Sequence, residues 1–169
     1  MANILVTGGA GYIGSHTCVE LLTAGHDVVV LDNLSNSSEE SLKRVQELTG
    51  KKLTFIEGDI RNGQALDQLF SLYKIDAVIH FAGLKAVGES QQIPLTYFDN
   101  NIVGSISLVQ AMERAKVFTL VFSSSATVYG EKNPSPYQED MPLSMPNNNY
   151  GYTKLIVEQL LEKLSIADE

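Results

Sequence analysis

Five short apolar runs punctuate the chain, at Ile4 to Val6, Val28 to Leu31, Leu53 to Ile56, Ala77 to Phe81 and Leu120 to Phe122. Each is continuous rather than alternating, the pattern of a strand with both faces buried. Between them, around Ile13 to Ala24, Glu39 to Leu48, Ala65 to Tyr73 and Pro94 to Ala115, apolar residues recur at three- and four-residue spacing, the period of an amphipathic helix. Strand and helix therefore alternate, and strands joined through helices run parallel. The pattern predicts an α/β fold, a doubly wound parallel sheet of five strands covered by helices. Ser37, three residues before Glu40, reads as a capping box opening the second helix, and Gly25 as the stop after the first. Pro134, Pro136, Pro142 and Pro146 break any regular element between Glu131 and Asn149, so a long loop is expected before a final helix starting near Tyr150.

Composition narrows the function classes. At 169 residues the chain is long enough for one good core, and a single domain over 1–169 is expected. Twelve basic residues against 20 acidic ones leave a net charge of -8, which opposes binding to nucleic acid or an anionic membrane. The single cysteine, Cys18, rules out an internal disulfide, and a reducing compartment, the cytoplasm, is the expectation. The start of the chain lacks the basic leader of a secretory signal, and no apolar run reaches membrane-spanning length.

The first chemical signal follows the first strand. Gly8, Gly9, Ala10, Gly11, Tyr12, Ile13 and Gly14 satisfy both the GxGxxG and the GxxGxxG spacing. Glycine is needed where the backbone turns with positive φ, where it approaches a pyrophosphate, and where helix packs on strand. The helix start then offers unpaired N–H groups to phosphates. Asp32, closing the second strand, is placed to accept hydrogen bonds from ribose hydroxyls and to repel a 2′-phosphate, which selects NAD over NADP. Asp59 reads equally as an adenine-rim contact or as a turn former, while Phe81, Ala82 and Gly83 end the fourth strand beside the expected dinucleotide cleft.

A second signal lies near the carboxyl end. Tyr150 and Lys154 are four apart at a helix start and share a face. A free tyrosine titrates near 10, too high for a base at neutral pH, and a nearby ammonium favours the phenolate. Ser123, Ser124, Ser125, Ala126 and Thr127 end the fifth strand on the same sheet edge as the glycine turn, where doubly wound folds bind ligands. One of these hydroxyls is assigned a catalytic role, although satisfying loop backbone is the simpler alternative for the others. No GxSxG elbow surrounds the serines, no histidine has a triad context, His80 reads as structural, and no metal-ligand cluster appears.

Taken together, TGGAGYIGSH (7–16), HFAGLKAVGES (80–90), SSSATVYG (123–130) and the Tyr150/Lys154 pair strongly resemble the nucleotide-sugar epimerases of the extended short-chain dehydrogenase/reductase family. The resemblance runs across the whole chain, and HFAGLKAVGES carries it furthest. It implies an NAD-binding Rossmann fold and a UDP-sugar substrate: hydride leaves sugar C4 for tightly held NAD, the 4-keto intermediate turns, and hydride returns to its other face. On matching positions it implies Tyr150 as base, Ser125 as hydrogen-bonding relay, and Lys154 as the group that tunes the tyrosine and binds NAD. The implied cofactor contacts are Tyr12, Ile13, Asp32, Asn33, Asn36, Ser37, Asp59, Ile60, Phe81, Ala82, Lys85 and Asn100, besides the glycine turn. Asn100 also reads as a helix-start residue. A homodimer is implied, paired through Pro94 to Ala115 and Tyr150 to Leu164. The family's substrate-binding carboxyl-terminal portion and sixth strand have no counterpart here, so a truncated Rossmann domain is the expectation. A sugar-nucleotide dehydratase would carry Asp and Glu where Ala126 and Thr127 stand, and a decarboxylase Glu at Thr127. A silent NAD sensor would not need Tyr150, Lys154 and Ser125 together.

Overall fold

The computed structural model describes residues 1–167, which fall into two compact units, Met1–Ala82 with Ile106–Ser123, and Gly83–Ser105 with the described residues from Ser124 onward. The first unit holds the sheet. Its strands are β1 (Asn3–Thr7), β2 (Asp27–Asp32), β3 (Thr54–Glu57), β4 (Ala77–His80) and β5 (Leu120–Phe122), all parallel, in the order β3-β2-β1-β4-β5. The order reverses between β1 and β4, the switch point at which such sheets bind ligands.

The continuous apolar runs have a direct cause. Leu5, Val29, Leu31 and Val78 enter one core with Leu66 and Leu69 of α3 (Gly63–Leu72) and Leu108, Ala111 and Met112 of α6 (Gly104–Ala115). The intervening Ile4, Val6, Val28 and Val30 enter a second core with Cys18 and Leu22 of α1 (Tyr12–Thr23) and Leu42 and Val45 of α2 (Glu40–Thr49). Alternate residues of one strand thus feed opposite cores, and both sets must be apolar. One polar pair interrupts them. Thr7 Oγ1 and His80 Nδ1 lie 2.6 Å apart, fully buried on neighbouring strands, which agrees with a structural reading of His80.

The second unit is helical. It contains α4 (Val87–Gln92), α5 (Pro94–Tyr97), a π-helical turn at Phe98–Val103, a 3₁₀ turn at Ala126–Tyr129, and α7 (Asn149–Ala167). Two expectations need correcting, and one helix appears where none was expected. The continuous helix expected from Pro94 to Ala115 is α5, the π turn and α6 in succession, because Asn100 and Asn101 are both buried and the widened turn serves their side chains. Helix α4 was not foreseen, since two exposed residues, Val87 and Gly88, give its start no apolar stripe. The capping box at Ser37 does not form: α2 begins after Glu39 with no side-chain cap, and the Ser37 hydroxyl donates to Asp32 instead.

Candidate active site

In the first unit the site grows from the turn between β1 and α1. Gly8 has φ of +71°, and a Cβ there would come within 2.6 Å of Ala82 N; at Gly14 a Cβ would meet Gly8 O at 2.3 Å. Only glycine lets the turn approach β4 and helix α1 pack down on it. Gly11 precedes α1 with no side-chain cap, so the first-turn N–H groups are left for an anionic group. Tyr12 and Ile13, 74% and 56% exposed despite their apolar character, stand at that open end.

Asp32 anchors the turn from below. Its buried carboxylate accepts from Ala10 N–H at 3.0 Å, Leu34 N–H at 2.9 Å and the Ser37 hydroxyl at 2.8 Å. A carboxylate has about four acceptor positions, so capacity for a ligand hydroxyl is left. Asp59 is joined to Asn33, whose Nδ2 donates at 3.0 Å, and to Arg61, whose guanidinium donates to both carboxylate oxygens. Arg61 holds the Asp59 carboxyl well below the usual carboxylate range. Phe81 and Ala82 are half-buried past the end of β4, and Asn36 is exposed. Ile60 is buried in the first core with Leu66 and Leu69, so its side chain is engaged in packing.

The second unit gathers the remaining candidates on α7 and around it. Lys154 is 7% exposed, and burial lowers its pKa to about 8, with Glu158 one turn on pulling the other way. Its Nζ lies 3.7 Å from where a Cβ on Gly83 would stand, and Asn101 Oδ1 lies 3.4 Å from the same point. Gly83, Asn101 and Lys154 therefore pack together. Asn101 is the hub that sequence reasoning missed: it accepts from Leu84 N–H at 2.8 Å and from Asn100 Nδ2 at 2.9 Å, and donates to Leu84 O and the Thr153 hydroxyl. Its signal was present in the Asn-Asn pair inside an otherwise helical stretch. Lys85 is exposed.

Tyr150 sits in the first turn of α7, half-buried, with its N–H donating to the buried Ser90 hydroxyl at 3.1 Å. Asn149 donates to Ser90 O at 2.9 Å, so α4 clamps the start of α7. Nearby on α5, Tyr97 is fully buried between Ala86 and Glu89, and burial with the Glu89 carboxylate pushes its hydroxyl up to about 12. Ser125 opens the 3₁₀ turn and accepts from Thr127, and Ser124 Oγ is buried with no hydrogen-bond partner among the described residues. No group of three metal-ligating side chains occurs among the described residues, and no helix there is long and apolar enough to cross a membrane.

The model of the NAD dependent epimerase/dehydratase family matches residues 4–168. The chain is 61% identical over 165 residues to UDP-glucose 4-epimerase of Bacillus subtilis, covering 98% of this chain and 48% of that protein, and 56% identical to the Dictyostelium discoideum enzyme of that name over the same shares. Among solved structures, UDP-glucose 4-epimerase from Bifidobacterium longum, in complex with NAD+ and UDP, superposes with a TM-score of 0.96 at 46% identity, over 98% of this chain and 50% of that one. The enzyme from Stenotrophomonas maltophila, with NAD and formylated UDP-arabinopyranose bound, gives 0.95 at 52% identity, over 100% and 50%. The chain thus spans about half the length of the relatives it matches. With the glycine turn, the buried lysine on α7 and these likenesses in agreement, the chain belongs to the NAD dependent epimerase/dehydratase family.

Proposed function

We propose that this chain is the NAD-binding domain of a protein that interconverts UDP-glucose and UDP-galactose through a transient 4-keto sugar nucleotide, with the substrate-binding portion supplied by further sequence. The observation that carries the reading is Lys154, a lysine 7% exposed one helical turn beyond Tyr150. Burying an ammonium is costly, and function is the simplest reason to accept it.

The residues present fit NAD. The uncapped start of α1 suits a pyrophosphate, and the glycine turn leaves room that any Cβ would take. Asp32, with Asn33, Asn36, Ser37, Asp59 and Ile60 around it, would hold the adenosine end, while Phe81, Ala82, Gly83, Lys85 and Asn100 complete the cofactor's surroundings. When bound, NAD supplies reversible hydride acceptance at the sugar carbon. Tyr150 takes the proton of the 4-hydroxyl and gives it back. Lys154, still cationic at pH 7 with a pKa of about 8, stabilises the negative charge that Tyr150 acquires and binds the nicotinamide ribose. Ser125 orients the reacting oxygen. Ala126 and Thr127 offer no carboxyl group to drive water elimination, which speaks for epimerisation over dehydration.

We also propose a cytoplasmic homodimer. Exposed Leu95, Val103 and Leu164 lie on the helical segments expected to pair, and Cys18 is a buried free thiol. The test is conversion of UDP-galactose by the full-length protein purified without added cofactor, with bound NAD measured alongside. Tyr150→Phe is expected to lower turnover by roughly 10²-fold or more with NAD retained. Near-normal turnover in that variant would remove the base assignment, and bound NAD without conversion by the unaltered protein would favour a sensor.

A further inference from the structure

Ser125 Oγ accepts twice from one neighbour: the Thr127 hydroxyl donates at 2.9 Å and the Thr127 N–H at 3.3 Å. A serine hydroxyl has one hydrogen to give and two lone pairs to receive with. Both lone pairs are engaged, and the hydrogen is the capacity left over. Thr127 is itself held in place. A Cβ on Gly151 would stand 2.7 Å from Thr127 Oγ1, 3.0 Å from Thr127 Cβ and 2.8 Å from Pro146 Cβ, so the threonine packs closely on the first turn of α7 beside Tyr150. Val128 N–H donates to Ser125 O, and Val128 is 2% exposed, which closes the turn from the other end.

We propose that Thr127 is a positioning residue that makes Ser125 a one-way donor: Ser125 gives its single O–H to an oxygen of the reacting sugar and receives no proton from it. The inference rests on the epimerase reading and sharpens it. A relay must first accept the substrate proton on a free lone pair and then pass its own hydrogen on. With both lone pairs engaged, that route is closed, and Tyr150 takes the proton directly. Ser125 then fixes the orientation of the sugar oxygen and steadies the charge on it as the C4 carbonyl forms.

Two measurements on the full-length protein test this. In the first, Ser125→Cys puts a thiol where the two donors converge, and hydrogen bonds to a thiolate lower its pKa. Its alkylation by iodoacetamide is followed against pH by peptide mass spectrometry, with Cys18 a slow internal reference because burial pushes its thiol up to about 12. The midpoint is expected to rise by about half a pH unit or more when Thr127→Val is added, and to stay low with Thr127→Ser. Equal midpoints in all three backgrounds overturn the proposal, whether or not the protein is an epimerase. In the second, with Ser125 intact, Thr127→Val is expected to lower kcat about tenfold with KM within about twofold, and Thr127→Ser to restore most of it. An unchanged kcat in Thr127→Val also overturns the proposal. Failure of the unaltered protein to convert UDP-galactose counts against the epimerase reading alone, and the thiol titration still decides whether two donors meet at position 125.

Discussion

At Lys154 the sequence and the fold pull in opposite directions. The folded chain carries an ammonium where burial lowers its pKa from 10.5 to about 8. Below about pH 8 both folded and unfolded chains are protonated, and the full cost of burial is present. Between about 8 and 10.5 the folded chain loses its proton first, so stability rises with pH across that window. Lys154→Met is therefore expected to stabilise the chain by roughly 1–3 kcal/mol at pH 7, with the gain shrinking towards pH 10. Urea unfolding at both values measures it; an equal gain at both would show that charge burial is not the cause. This residue was legible in the sequence through its spacing from Tyr150, but its burial was not, because spacing says nothing of what packs around a helix. Ser37 shows the reverse. Its place before Glu40 is that of a helix cap, yet the hydroxyl is engaged by Asp32, five residues back in sequence, and tertiary contact overrides the local rule.

The elements of the sheet were almost wholly legible, because a strand buried on both faces advertises itself as an unbroken apolar run. The helical unit was less so. Apart from α7 its helices are short or irregular, and its polar residues are tied to partners far along the chain: Asn101 to Thr153, and Ser90 to Asn149 and Tyr150. Periodicity is blind to such pairings. The Ser90 hydroxyl acts on α7 as a cap supplied from 60 residues away. Ser90→Ala is expected to cost about 1 kcal/mol and to speed hydrogen exchange at the Tyr150 amide, with later turns of α7 unaffected. Uniform acceleration along α7 would mean that Ser90 supports the helix as a whole instead of its first turn.

For the whole molecule, the glycine turn, Asp32 and the ends of β1, β2 and β4 lie within one unit that holds two apolar cores. A ligand that joins these parts should stabilise that unit by mass action, by about 2.7 kcal/mol at a hundredfold excess over Kd. Added NAD is expected to raise the melting temperature by several degrees, and NADP by less, since the buried Asp32 carboxylate disfavours a 2′-phosphate. Equal shifts from both would remove Asp32 as the discriminating group. The Thr7–His80 pair has a separate consequence for folding fidelity. In a sheet with a single apolar face, a one-residue slip exposes hydrophobic side chains and is rejected for that reason. Here both faces are apolar, and slipped strands would still be greasy on either side. Correct alignment must be encoded elsewhere, and the polar contacts at the strand ends encode it. A slip of β1 against β4 would pull the Thr7 hydroxyl off His80 at one end and Asn3 N–H off the Asp76 carboxylate, 2.8 Å away, at the other. The few hydrophilic side chains in this sheet thus serve as alignment marks, read once, when the strands first meet.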